Sequence, residues 1–251
     1  MLWIVQDIGS RPYQEDRHSC HFNFFKNFHY FAVFDGHGDD KVSIFLEAYF
    51  KDILKKELES FYPKLSIEEC LFKAFNDLIK ILPNEISVNA GSTALVIVKD
   101  DKKLYVANVG DSRVIINNFN KAIPISEDHK PSDPAEYERI TKLGGRVIRD
   151  PYGTARVNGN LALSRAVGDL YLFPYVSSVP DIYTVNLTRA NKYLIAASDG
   201  LWDVFENQEL VDFINSMFEN NESIEDICKK MLSVARIKGS GDNITILFIM
   251  L

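Results

Sequence analysis

Twice in this chain a strand-like apolar run stops at Asp-Gly, and the hydrophobic period then changes to that of a helix. The first run, Phe31 to Phe34, ends in Asp35-Gly36-His37-Gly38; the second, Tyr193 to Ala197, passes Ser198 into Asp199-Gly200. Asp-Gly is also a strong two-residue hairpin signal. A hairpin, however, needs a strand beyond the turn. After residue 40 the apolar positions are Val42, Phe45, Leu46, Tyr49, Phe50, Ile53 and Leu54, which form one helical stripe. Both places therefore read as strand-to-helix junctions, each with a carboxylate at the end of a strand.

The rest of the periodicity extends this pattern. Strands are expected at Leu2 to Val5, Phe22 to Phe25 and Tyr30 to Phe34, then helices at 41–58 and from Ser66, where Ser66 and Glu69 form a capping box. From Gly91 the period is again that of strands, with Lys99 to Lys103 as a charged hairpin tip. A short helix follows at Pro134 to Leu143, opened by proline and stopped by Gly144-Gly145. Residues 131–185 as a whole read as a flap or insertion, partly irregular, and loops that long are usually functional. A buried strand at Tyr193 to Ser198, helices near 206–218 and 223–237, and a strand from Asn243 to Ile249 complete the chain. No linker divides it, so residues 1–251 are expected to form a single domain. The order suits a two-sheet β-sandwich with a helix pair on each outer face. The expected class is α+β, a four-layer α-β-β-α sandwich.

Composition narrows the function. With 46% hydrophobic residues and 17 phenylalanines there is material for a large core. A net charge of -7 argues against a nucleic-acid or polybasic membrane partner. Cys20, Cys70 and Cys228 are odd in number and far apart, which indicates neither a zinc site nor a disulfide framework and points to a reducing compartment. No signal-peptide pattern and no membrane-length apolar run occur. The expectation is a soluble monomer, cytoplasmic and compatible with the nucleus. Only eight residues precede Gly9, so no localisation or regulatory extension is expected there.

Asp35, Asp111, Asp199 and Asp242 each abut glycine or end an apolar run. Alone, each is better explained as a turn or cap residue. Together they are placed to meet at one edge of a sandwich. Two carboxylates about 4 Å apart repel by roughly 4 kcal/mol at an effective dielectric near 20. Such a cluster survives only if protonated or neutralised by cations, and all-oxygen ligands favour Mg²⁺, Mn²⁺ or Ca²⁺ over zinc. Upstream, Arg11 offers planar paired donors that match a phosphate oxyanion; its alternative is an ion pair with the nearby Glu15 or Asp16.

The motifs RPYQED, DGHG, GST, VGDSR, LALSRAVGD, SDGLWD and GDN-x-T follow one another from about Gly9 to the C-terminus. In order and spacing they resemble the PP2C-like metal-dependent protein phosphatases, with DHKPSDPAEYERITKLGGRV through SRAVGDLYLFPYV most similar to the plant-type branch. The resemblance implies hydrolysis of phosphoserine and phosphothreonine on proteins by a water bridging two Mg²⁺ or Mn²⁺ ions. It implies Asp35 as the bridging ligand, the Gly36 carbonyl as a ligand to one metal, and Asp199 and Asp242 as ligands to the other. Glu15 and Asp16 would act near the metals through bound waters, Arg11 would grip the phosphate, and His37 would protonate the leaving oxygen. Asp111 and Asp203 fall where some members bind a weaker third metal. The rival readings are a pseudophosphatase acting as a binding scaffold, and a phosphatase-fold enzyme acting on small phosphoesters.

Two departures from the family pattern carry expectations. Asp39 stands where many relatives have glycine, and its carboxylate is expected to act on His37 or to favour basic peptides. The stretch Val147 to Gly153 lacks the tryptophan that hormone-regulated plant relatives carry in the flap. His18, His21, His29 and His129 have no neighbours like those of His37 and read as surface or strand polar residues.

Overall fold

Tyr30, Ala32 and Phe34 alternate with Phe31 and Val33 along one strand, and all five are buried. Successive side chains of a strand point to opposite faces, so this strand must be covered on both. In the computed structural model, which describes residues 1–251, the first set packs with the helices Lys41–Phe61 and Ile67–Ile81, and the second packs against another sheet.

One five-stranded antiparallel sheet has the order Leu2–Asp7, Ile244–Met250, Asn191–Ala197, Arg113–Asn118 and Lys121–Pro124. The second has the order Asp181–Asn186, Lys103–Val109, Ala94–Lys99, Phe28–Phe34 and Arg17–Phe25. Between them lies a layer that includes Phe31, Ile97, Val106, Ile116, Leu194 and Leu247. The outer face of the first sheet packs Ile195, Ile246 and Phe248 against Leu210, Ile214, Ile227 and Met231 of the helices Asn207–Glu219 and Ile224–Ile237. Three apolar layers separate four layers of backbone, which is the expected α-β-β-α sandwich. Burying one such large side chain is worth roughly 1.5–3 kcal/mol, so the layers, rather than helix propensity, hold the elements in place.

The local signals act as expected. Ser66 Oγ accepts from the Glu69 amide at 3.2 Å while the Glu69 carboxylate accepts from the Ser66 amide at 2.7 Å. Asp133 caps the helix Pro134–Lys142, and Gly144 follows its end with φ +91°. Cys70 and Cys228 are buried, and burial pushes their thiols up to about 11 and about 12, as inert core residues require. No helix is long and apolar enough to cross a membrane.

Four features differ from the expectations. The second strand spans Arg17–Phe25 and not only Phe22 to Phe25, because its polar first half lies at a sheet edge where periodicity is weak. The strands Lys103–Val109 and Arg113–Asn118, consecutive in the strand-like run after Gly91, do not lie side by side but in different sheets, and the chain crosses between them at Gly110-Asp111-Ser112. Gly110 is needed there: its φ is +104°, and a Cβ would lie 2.6 Å from Thr93 Cγ2. Inside the expected 131–185 insertion, Asp181–Asn186 is an edge strand of the main sheet. The remainder has a core of its own, built from Ile140, Val157, Leu163, Ala166, Leu172 and Val176. Finally, three two-residue strands, Val167–Gly168, Gly91–Ser92 and Gly36–His37, form a small sheet that periodicity does not reveal.

Candidate active site

The crossing at Gly110 and the strand ends at Phe34 and Ala197 deliver carboxylates to the same end of the sandwich. Asp35, Asp111 and Asp199 each present an oxygen, and these oxygens lie within 4.8 Å of one another. Asp203 follows one helical turn after Asp199, its amide donating to the Asp199 carbonyl at 2.8 Å, so both project from one helix face. Arg11, Glu15, Asp35, Gly36, His37, Asp111, Asp199, Asp203 and Asp242 all line a single cleft of about 360 Å³. Asp16 lies beneath it, buried, with Oδ2 accepting from Ser198 Oγ and Thr245 Oγ1, each at 2.7 Å. Every residue that the sequence offered as a metal, phosphate or proton-transfer group thus lies in or directly under one cleft. Gly36 is required by close approach, since a Cβ would stand 2.7 Å from both the Glu15 carbonyl and Ser43 Oγ.

The electrostatics are those of a site short of positive charge. Burial, then the charges of neighbouring aspartates, pushes the carboxyls of Asp35 and Asp199 well above the usual range. Burial also lifts Asp16 to about 6, against the hydrogen bonds from Thr245 and Ser198. Asp16 Oδ1 is buried without a hydrogen-bond partner. An all-oxygen donor set, mutually repelling carboxylates and an orphaned buried oxygen fit hard divalent cations. Protein cations compensate in part. Lys130 pairs with Asp111, which raises the Lys130 ammonium although burial alone would lower it. Arg11 pairs with Asp242 at 2.5 Å and not with Glu15 or Asp16, the alternative partners that its neighbours in sequence offered.

His37 has a partner that sequence reading did not identify. Its Nε2 lies 2.7 Å from Oδ2 of Asp169, a buried residue at the end of the strand Val167–Gly168. The small sheet brings the two together, since Gly36–His37 and Val167–Gly168 both pair with Gly91–Ser92. A signal existed: Val167-Gly168-Asp169 repeats the tripeptide Val109-Gly110-Asp111. Asp39, expected to act on His37, instead accepts from the Lys41 amide at 2.9 Å and pairs with its ammonium at 2.6 Å. It starts a helix. His129, read as surface or strand polar, is buried; Gly110 donates its amide to Nδ1 at 3.0 Å, and Nε2 faces Asp181 at 3.1 Å. Thr93 Oγ1 accepts from the Asp35 amide at 3.0 Å and anchors that strand end. The far wall of the cleft is flap: Thr154, Arg156, Leu161, Ala162 and Leu163.

Residues 9–244 match the family model described as Protein phosphatase 2C. The chain belongs to the protein phosphatase 2C family. It is 35% identical over 269 residues to "Probable protein phosphatase 2C 6" of Paramecium tetraurelia, across 96% of this chain and 89% of that protein. To "Probable protein phosphatase 2C member 13, mitochondrial" of Oryza sativa subsp. japonica it is 41% identical over 216 residues, 86% of this chain and 58% of that one. Among solved structures, a C. elegans sex determining protein superposes with a TM-score of 0.92 at 28% identity, covering 100% of this chain and 64% of that one. A serine-threonine phosphatase 2C from Toxoplasma gondii shares the fold, with a TM-score of 0.81 at 24% identity over 99% and 94% of the two chains. The carboxylate cleft of this protein phosphatase 2C chain lies where its two sheets meet the flap.

Proposed function

We propose that this protein phosphatase 2C chain removes phosphate from phosphoserine and phosphothreonine in polypeptides, using two Mg²⁺ or Mn²⁺ ions. The observation that carries the reading is the convergence of Asp35, Asp111 and Asp199 within 4.8 Å, beside Arg11 and His37 in one cleft. Asp35, Asp199 and Asp242, with the Gly36 carbonyl, would hold the pair; Glu15 and Asp16 would act through water, and Asp111 and Asp203 would hold a weaker third cation. When bound, the cations supply Lewis-acid stabilisation and lower the pKa of coordinated water.

The protein's own groups do the rest. Arg11 is half exposed at the cleft mouth and paired with a single carboxylate, so its remaining donors are free for phosphate oxygens. His37, fixed through Nε2 by Asp169, has Nδ1 left to donate a proton to the departing serine or threonine oxygen. An alkoxide is a poor leaving group, which is why a proton donor belongs here. The flap wall facing these groups supplies surface for the polypeptide around the phosphoresidue.

The test is hydrolysis of a phosphothreonine peptide by the wild type and by Asp35→Asn, each with Mn²⁺, with Mg²⁺ and with chelator. Turnover is expected only in the wild type with metal. Wild-type activity that survives chelation, or an active Asp35→Asn variant, defeats the reading.

A further inference from the structure

Behind the flap wall, outside the cleft, lies a chain of ionic and polar contacts, buried at Glu136 and His129 and part-exposed at Asp181. Arg165 is 15% exposed at its side chain. Its Nε and Nη2 donate to Glu136 Oε1 at 3.0 and 2.7 Å, and its Nη1 donates to Asp181 Oδ1 at 2.7 Å and to the Val179 carbonyl at 3.0 Å. Glu136 belongs to the flap helix Pro134–Lys142 and also accepts from Arg139, whose Nη2 donates to the Ser164 carbonyl at 2.8 Å. Asp181 opens the edge strand of the main sheet, and its second oxygen faces His129 Nε2 at 3.1 Å. Because His129 Nδ1 accepts the Gly110 amide, the imidazole proton sits on Nε2 and is donated to Asp181. The His129 carbonyl accepts from the Ser164 amide at 3.0 Å.

Both carboxylates stay ionised. Burial would raise Glu136, but Arg165 and Arg139 hold it below the usual range, and Asp181 is pulled down to about 2 by the His129 hydrogen bond and, against burial, by Arg165. The contacts thus run without a break from flap helix to edge strand to the turn that carries Asp111. Arg165 itself follows Leu163 and Ser164, directly after the segment that lines the cleft. Its guanidinium faces the scaffold. Arginine suits this place because a planar fork holds two carboxylates at fixed angles, which a lysine ammonium does not.

We propose that Arg165 is a positioning residue: with Glu136, Asp181 and His129 it sets the position of the flap wall over the carboxylates, and so governs affinity for polypeptide substrates. The inference rests on the phosphatase reading above. Groups that only hold substrate change KM and leave kcat unaltered, and a small aryl phosphate has no polypeptide for the wall to grip.

The test compares the wild type, Arg165→Met and the double variant Arg165→Met/Glu136→Gln, with Mn²⁺, on a phosphothreonine peptide and on p-nitrophenyl phosphate. The double variant removes the buried Glu136 charge together with its Arg165 partner and is the one to read if the single variant melts below assay temperature. Peptide KM is expected to rise about tenfold with kcat within about twofold, and both constants for p-nitrophenyl phosphate are expected to stay within about twofold. Arg165→Lys is expected to recover only part of the peptide KM. A folded variant with wild-type peptide KM overturns the inference, as does an equal loss on both substrates. A wild type inactive on both overturns the phosphatase reading itself, a result distinct from either.

Discussion

Asp169 holds His37 from φ +51°, a left-handed backbone conformation that non-glycine residues seldom adopt and that costs on the order of 1–3 kcal/mol. If its task is to orient the proton donor, Asp169→Asn lowers kcat on a phosphothreonine peptide about 100-fold, within the usual range for general acid catalysis. The same variant lowers hydrolysis of p-nitrophenyl phosphate, whose leaving group needs no proton, by less than about threefold. Equal losses on the two substrates refute the orienting role. Gly91 supplies a second check, because a Cβ there would lie 2.1 Å from Asp169 Oδ2 and 2.7 Å from His37 Nε2. Gly91→Ala is expected to show the same dependence on leaving group. Asp39→Gly, by contrast, is expected to keep the wild-type pH profile and peptide preference, since that carboxylate is engaged by Lys41. At this scale the sequence exposed the residues whose chemistry shows in their neighbours, such as Asp35 and Asp199. Asp169, Lys130 and His129 stayed hidden because each takes its role from a partner remote in the chain.

Long elements were legible and short ones were not. The helix Ile67–Ile81 carries its start signal and its buried stripe within its own sequence. Ser66→Ala removes one reciprocal cap and is expected to cost about 1 kcal/mol in urea unfolding, with unchanged kinetic constants because the helix lies on an outer layer away from the cleft. A change in kcat or KM would mean that this layer communicates with the site. The two-residue strands around Gly36, Gly91 and Gly168 have no period to read; they exist because distant backbones pair. The sheet crossing at Gly110 escaped for the same reason. Two adjacent apolar runs look alike whether they pair with each other or separate into different sheets.

Burial of so many acids ties the stability of the whole molecule to pH and cations. A carboxyl raised by folding, as Asp16 is to about 6, binds its proton more tightly in the folded chain than in the unfolded one. The stability this proton confers is complete below the ordinary carboxylate range and is lost as pH rises through about 6. For Asp16 this is on the order of 3 kcal/mol at 1.36 kcal/mol per pH unit, and Asp35 and Asp199 act in the same direction. The metal-free protein is therefore expected to melt at a lower temperature at pH 7.5 than at pH 5. Mn²⁺ at about 100 times its dissociation constant should restore about 2.7 kcal/mol at pH 7.5. Calorimetry showing no loss of stability with rising pH and no response to Mn²⁺ would refute this account. By itself, the sequence determined the α-β-β-α layering, the strand-to-helix junctions and the carboxylates that need cations, because hydrophobic period and local capping are properties of short segments. Only the tertiary structure decided that Asp111 lies between sheets, that Asp169 holds His37 and that Arg165 ties the flap to the main sheet, because each depends on which distant segments pack together.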